Sequence, residues 1–290
     1  MTRILLTGKS GQVGYELERS LQGLGEIIAV DRSQMDLSNL DNIRQVIREV
    51  RPDLIINPAA YTAVDKAENE PELAMLVNAH APAVMAAEAK RLGAVMIHYS
   101  TDYVFDGTKT SPYVEEDPTC PINVYGRTKL AGEQAIQAAG IPHLILRTSW
   151  VYGTRGKNFL MTVKRLAQER DELRIVADQH GAPTWCRTIA DTTAHIIAQS
   201  KGVGLGDEWW KARSGVYHLT AQGQTTWHGF TAAVVAHQSV ERKPALTPIS
   251  TDEYPLPAAR PANSVLSSAR LIEQFCDLPT WDAALRLCMD

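Results

Sequence analysis

Tyr125-Gly126-Arg127-Thr128-Lys129 sets a phenol and an amine four positions apart in a stretch that reads helical. Residues at i and i+4 share one face of a helix. An ammonium held near a phenol stabilises phenolate and can draw the tyrosine pKa down from its unperturbed ~10, which suits a proton donor working near neutral pH. That is the chemistry of carbonyl reduction. The same spacing also fits a solvated helix face, so the elements around the pair have to decide between the two.

The first such element opens the chain. Arg3 to Thr7 is an apolar run that ends in Gly8-Lys9-Ser10-Gly11-Gln12-Val13-Gly14, after which Val13, Leu17, Leu21 and Leu24 recur at helical spacing. In a strand-turn-helix order, glycines three apart let the backbone turn sharply and approach a pyrophosphate at the helix N-terminus. Gly8, Gly11, Gln12, Val13 and Gly14 are therefore assigned to a cofactor. Gly8-Lys9-Ser10 also looks like the end of a nucleotide-binding P-loop, but that motif needs a glycine where Arg3 stands. The bland alternative is a glycine turn that only packs helix on sheet.

A second strand, Glu26 to Val30, ends in Asp31, which can accept hydrogen bonds from ribose hydroxyls and favours NADH. Arg32 follows at once and can instead meet a 2′-phosphate, so both NADPH and NADH stay open as the cofactor. Asp36 and Leu37 are counted with this site. Leu54 to Asn57 and Val95 to Ser100 read as further buried strands, with helical stretches at Ile43 to Val50 and Ala79 to Arg91 between them. The alternation predicts an α/β fold, a doubly wound parallel sheet of Rossmann type. Ligands gather beyond the carboxyl ends of such strands, which singles out Ala59, Ala60, Tyr61 and Thr62 for the cofactor and Thr101, Asp102 and Tyr103 for a substrate. The same serine, threonine and aspartate types also serve as caps and turns.

The composition bounds the partners. A chain of 290 residues, 44% hydrophobic and 21% charged, can bury a large domain and a smaller lobe. A net charge of -4 offers no basic block for nucleic acid or anionic lipid. No window approaches the roughly 18 apolar residues of a membrane span, and Met1 to Thr7 runs into a strand without a leader, so a cytoplasmic protein is expected. Cys120, Cys186, Cys276 and Cys288 have no paired short spacing, and His80, His98, His180 and His218 have no ligand-like spacing. Neither a disulfide framework nor a metal is expected.

Beyond a fifth strand, His143 to Arg147, the alternation weakens. Residues 1–150 are read as the dinucleotide-binding domain and 151–290 as mainly a substrate-binding α/β lobe, interleaved with it and sending segments back to it. Leu173 to Val176, Val216 to Leu219 and Leu246 to Ile249 read as short strands of a small mixed lobe. Helices are expected near Thr188 to Gln199, Trp227 to His237 and Thr280 to Met289, and a surface turn at Gly202 to Asp207. Trp150 can stack on a sugar or base, or simply fill core. Arg260 can grip a diphosphate with two prongs, or stay solvated.

The glycine turn, Ser100-Thr101 and the Tyr125/Lys129 pair resemble the extended short-chain dehydrogenase/reductase superfamily. Within it, Ala63-Val64-Asp65-Lys66-Ala67-Glu68, the run Ser100 to Gly107 and Arg147-Thr148-Ser149-Trp150-Val151-Tyr152-Gly153 look like the dTDP-4-dehydrorhamnose reductase family. The likeness continues in Asp178 to Thr184 and Arg260 to Ser264 and departs at Pro58, which leaves the end of the third strand open. The resemblance implies reduction of the C4 carbonyl of dTDP-4-dehydro-L-rhamnose, giving dTDP-L-rhamnose for surface polysaccharide, and a possible homodimer. It favours the stacking role for Trp150. In that reading Tyr125 protonates the developing alkoxide, Lys129 tunes it and holds the nicotinamide ribose, and Thr101 bonds the carbonyl or the phenol. Two other functions share these features: a sugar-nucleotide epimerase or dehydratase that retains its cofactor, and a non-catalytic dinucleotide-binding subunit.

Overall fold

The structure, a computed structural model, describes residues 2–201, 206–238 and 243–290. The chain opens with β1 (Arg3–Leu6), α1 (Gln12–Ser20), β2 (Glu26–Ala29), α2 (Leu40–Val50) and β3 (Leu54–Asn57). Pro58, which has no N–H to give, thus lies just past the end of β3. Short α3 (Val64–Ala67) and α4 (Pro71–Met75) lead through a π-turn at Leu76–His80 into α5 (Ala81–Leu92) and β4 (Val95–Thr101). A 3₁₀ turn (Asp102–Val104) follows, then α6 (Val124–Ala139) and β5 (His143–Thr148).

The second half holds β6 (Val151–Tyr152), α7 (Phe159–Glu169), β7 (Glu172–Val176), β8 (His180–Gly181), β9 (Thr184–Trp185), α8 (Cys186–Lys201) and α9 (Gly206–Arg213). It ends with β10 (Gly215–His218), β11 (Thr225–Thr226), α10 (Trp227–His237), β12 (Ala245–Ile249), α11 (Ala269–Gln274) and α12 (Trp281–Met289). The turn read at Gly202 to Asp207 lies outside the described residues until Gly206, where α9 begins.

The main sheet runs β10-β5-β4-β3-β1-β2 and is parallel throughout. β1 is followed by β2 on one side and β3 on the other, so the strand order reverses there and opens a crevice at the carboxyl ends. Both faces of the sheet are covered, which is why its strands read as continuous apolar runs. Ile4, Leu6, Ile56, Ile97 and Leu146 point to one face, against Leu17 of α1, Leu21 just past its end, and Ile189 and Ile197 of α8. Leu5, Ile55, Met96 and Ile145 point to the other, against Ile43, Met85 and Ile136. Truncating one of these fully buried side chains to alanine would cost about 2–5 kcal/mol.

The placement of β10 differs from the expectation. Val216 to His218 pairs in parallel with Ile145 to Arg147 and extends the main sheet, rather than joining a small separate one. β7 and β12 do pair with each other, in parallel, outside that sheet. They flank a third core in which Tyr152, Leu160, Phe230, Val234 and Leu285 are buried.

Candidate active site

A cleft of about 240 Å³ opens over the carboxyl ends of β1, β2 and β3, at the crevice the strand order dictates. Gly8, Asp31, Asp36, Leu37, Ala59, Ala60 and Tyr61 line it, joined by Ser10, Arg32, Met35 and Ser38, among others. The glycine turn is shaped for close approach: Gly8 has φ +61°, and a Cβ on Gly14 would sit 2.1 Å from the Gly8 carbonyl oxygen. The start of α1 is thereby packed against the glycine turn, an arrangement that fits a dinucleotide pyrophosphate, although of the turn only Gly8 and Ser10 line the cleft and Gly11, Gln12 and Gly14 do not. Val13 instead packs into the core beneath. Gln12 Oε1 accepts a hydrogen bond from Asn158 Nδ2 at 2.9 Å, tying the helix start to the loop before α7. Thr62 is exposed and lies outside the cleft lining.

The acidic residue after β2 has an unexpected companion. Asp31 Oδ1 accepts from both N–H and hydroxyl of Ser33, while its Oδ2 lies 3.8 Å from Lys9 Nζ. The Ser33 hydrogen bonds, aided by Lys9, hold its carboxyl below the ordinary range. Arg32 pairs instead with Asp36, at 3.5 Å, and both line the cleft. Thus the cation beside Asp31 is Lys9, from the glycine turn. The sequence contained that residue, but as a poor P-loop match rather than as a neighbour of a residue 22 positions away.

The second half of the site gathers at the end of β4 and the start of α6. Asn123 caps α6 by accepting from Gly126 N–H at 2.8 Å, and its own Nδ2 donates to the Ala259 carbonyl. Gly126 is required by packing, since a Cβ there would sit 2.1 Å from the Tyr103 carbonyl oxygen. That contact brings the 3₁₀ turn against α6 and sets the Tyr103 and Tyr125 rings edge to face, 5.8 Å apart. Thr101 Oγ1 accepts from Tyr103 N–H and donates to Asp102 Oδ1 at 3.0 Å. Asp102 Oδ2 is buried without a partner, and burial pushes its carboxyl up to about 7.

One electrostatic expectation is overturned. Burial, with the Asp102 charge second, raises the Tyr125 phenol above its ordinary value, against a smaller opposing pull from Thr101. Lys129 does not lower it, because its amine reaches down to the strand. Nζ donates to the Tyr99 carbonyl at 2.6 Å and lies 3.2 Å from His98 Nε2. Burial brings the Lys129 amine down to about 8, with Glu133 opposing the fall. Glu133 is itself paired with Arg147 of β5 at 2.7 Å, both buried.

The other two substrate candidates are engaged within the chain. Arg260 forms a two-pronged pair with Asp65, 2.8 Å at each prong. Trp150, at φ +48°, stacks one ring face on Trp227 with centroids 3.5 Å apart, and Gly181 is pressed to its ring. The core-filling alternative thus describes that face of Trp150. Asn78 went unnoticed in the sequence. Its buried amide accepts from Tyr61 N–H, and donates to the Tyr61 carbonyl and to Thr128 Oγ1, clamping the cleft wall to α6. Only its position in a helical run was visible, and that carries no such signal.

Three of the short runs noted in the sequence meet in space. His180 N–H donates to the Ala262 carbonyl, Ser264 N–H to His180, and Asn263 N–H to Gly107. No helix among the described residues is long and apolar enough to cross a membrane.

The whole chain, residues 1–290, matches the family model described as RmlD substrate binding domain. It is 50% identical to a dTDP-4-dehydrorhamnose reductase of Burkholderia thailandensis, over 99% of this chain and 98% of that one. It is 46% identical to that of Escherichia coli, over 98% and 95%. A crystal structure of dTDP-4-dehydrorhamnose reductase from Bacillus anthracis in complex with NADP superposes with a TM-score of 0.90, at 35% identity, over 99% of each chain.

Proposed function

This chain belongs to the RmlD family of dTDP-4-dehydrorhamnose reductases, and from that premise we propose that it reduces the C4 carbonyl of dTDP-4-dehydro-L-rhamnose to give dTDP-L-rhamnose, the last step of dTDP-rhamnose synthesis for surface polysaccharide. NADPH or NADH, when bound, supplies the hydride. The reading is carried by two features side by side: a cleft beyond the glycine turn at the strand-order reversal, and the Thr101/Tyr125/Lys129 group at the end of β4, the strand next to β3.

Tyr125 is the proton donor in this reading. A raised pKa keeps the phenol protonated throughout the neutral range, and an alkoxide is more basic still, so the proton moves downhill only once charge develops on the substrate oxygen. Thr101 gives its hydroxyl proton to Asp102 Oδ1 and accepts from Tyr103 N–H, which leaves one lone pair to accept from the Tyr125 phenol; bonding a substrate carbonyl would require that proton to turn away from Asp102. Lys129, pinned to the Tyr99 carbonyl, carries positive charge through most of the neutral range, and its role in this reading is to hold the nicotinamide ribose rather than to lower the Tyr125 pKa. Gly8, Gly11, Gln12 and Gly14 hold the pyrophosphate, and Asp31 the adenosine ribose. Asp102, Tyr103, Trp150 and Arg260 face the sugar nucleotide, Arg260 by sharing its guanidinium between Asp65 and the diphosphate.

The reading extends to residues 1–150 as the dinucleotide-binding part and 151–290 as the substrate lobe. It places the protein in the cytoplasm, where its four free thiols are at home. A homodimer is proposed through the C-terminal lobe, where Leu287 on α12 stays 67% exposed. The deciding experiment is consumption of NADPH by the purified protein with dTDP-4-dehydro-L-rhamnose made in situ. Stoichiometric oxidation with formation of dTDP-L-rhamnose is expected. Tight cofactor binding without net oxidation would overturn the reading.

A further inference from the structure

Lys129 is one end of a chain of buried polar groups that runs across the central strands β1, β3 and β4. Thr7 Oγ1 lies 2.6 Å from Asn57 Oδ1, Asn57 Nδ2 lies 3.0 Å from His98 Nδ1, and His98 Nε2 lies 3.2 Å from Lys129 Nζ. Asn57 and His98 are register partners on β3 and β4, and all four side chains are at most 2% exposed. Polar groups this deep persist when each finds a partner. Here the partners also constrain one another.

The amide of Asn57 has one donating and one accepting end. With Oδ1 toward Thr7, the Nδ2 end must donate to His98 Nδ1, so a neutral ring carries its proton on Nε2 and donates it to Lys129. Lys129 can accept only as the neutral amine. Turn the amide by half a revolution and every bond reverses: His98 carries its proton on Nδ1 and gives it to the Asn57 oxygen, while Nε2 accepts from an ammonium. In both cases Lys129 still donates to the Tyr99 carbonyl.

We infer that Thr7, Asn57 and His98 are positioning residues for Lys129, a hydrogen-bond chain that holds its amine in place in either charge state by reversing polarity. The ring itself stays neutral, since burial and the adjacent Lys129 push its pKa well down. The other ionisable groups around the amine are Glu133 on α6, paired with Arg147 of β5, and Asp102 of the 3₁₀ turn, which acts on Tyr125; neighbouring Asn78 carries no charge. The consequence for catalysis rests on the function proposed above. Turnover that uses the ammonium form of Lys129 sets the polarity that runs from Lys129 toward Thr7, without any side chain leaving its site.

The test is the tautomer of His98 in the unaltered protein, read from nitrogen-15 ring spectra between pH 6 and pH 10, the signals being assigned by their loss in His98→Gln. The Nδ1–H form is expected at the acid end and the Nε2–H form at the basic end, crossing as Lys129 titrates near 8, and Lys129→Met should abolish the exchange. One tautomer throughout, a protonated ring at pH 6, or exchange that survives in Lys129→Met would each overturn the inference. In turnover, His98→Leu should move the basic limb of kcat down by about one pH unit and His98→Gln, whose amide can also reverse, should restore it; coincident profiles for all three proteins would count against it. Tautomer exchange in a protein without reductase activity would leave this inference standing and remove the function, whereas an active protein with a fixed tautomer would do the opposite.

Discussion

Asp65 and Arg260 are 195 positions apart in the chain and meet in a two-pronged ion pair with both contacts at 2.8 Å. Asp65 also accepts from Ala258 N–H, and the neighbouring Ala259 carbonyl accepts from the Asn123 amide that caps α6. The segment around Arg260 is thereby bound to the helix that carries Tyr125. Because Asp65 is 39% exposed, solvent screening reduces what the pair contributes to stability. A double-mutant cycle of Asp65→Asn and Arg260→Ala should give a coupling of about 0.5–1 kcal/mol in denaturant melts. Arg260→Ala should also raise KM at least tenfold, about 1.4 kcal/mol of lost binding, with a smaller change in kcat. An unaltered KM would remove Arg260 from the substrate site.

Tyr125→Phe removes one hydroxyl and keeps the edge-to-face contact with Tyr103. Turnover should fall by roughly 10²-fold or more while cofactor affinity holds, as for loss of a positioned acid. Thr101→Val should cost less, because Thr101 orients rather than gives the proton. Near-normal rates in Tyr125→Phe would end the mechanism.

Cofactor choice should depend on Lys9 as well as Asp31, given that Lys9 Nζ and Asp31 Oδ2 are 3.8 Å apart. The protein is expected to use NADH and NADPH within about tenfold of one another, ~1.4 kcal/mol. Asp31→Ala should shift the balance toward NADPH and Lys9→Ala toward NADH, with Arg32→Ala neutral because Arg32 is drawn to Asp36. Ratios of kcat/KM for the two cofactors decide it; a shift confined to Arg32→Ala would transfer the role to that residue.

Asp102 should make stability fall as pH rises. Its folded carboxyl titrates near 7 and an unfolded one near 3.8, so the folded state binds the extra proton between those values. No penalty exists below the unfolded value. It grows through the window between the two and is complete above the folded value, at roughly a few kcal/mol. Asp102→Asn should therefore leave Tm nearly unchanged at pH 4 and raise it at pH 8. Parallel Tm curves for the two proteins over that range would show that the carboxylate finds a partner when it ionises.

The association proposed above is checked by sedimentation at micromolar concentration. A dimer that Leu287→Glu dissociates is expected, since burying an unpaired carboxylate at an interface is costly. A monomer in the unaltered protein would contradict it.

What the sequence determined by itself is what depends on near neighbours in the chain. Glycines at 8, 11 and 14 after an apolar run specify a tight strand-to-helix turn, because a Cβ on Gly14 would meet the Gly8 carbonyl. Apolar runs at Leu54 to Asn57 and Val95 to Ser100 specify strands buried on both faces. Tyr125 and Lys129, one helical turn apart, were legible as a pair. Their electrostatics were not: burial raised the phenol, and Lys129 turned to the Tyr99 carbonyl, both decided by depth beneath neighbouring elements. The return of β10 to the main sheet, the Lys9 contact to Asp31, the Trp150 stack on Trp227, the Asp65 pair with Arg260 and the chain from Thr7 to Lys129 were likewise settled in three dimensions. Each joins residues distant in sequence whose types are individually commonplace. Desolvation and partner choice act through space, so no spacing along the chain encodes them.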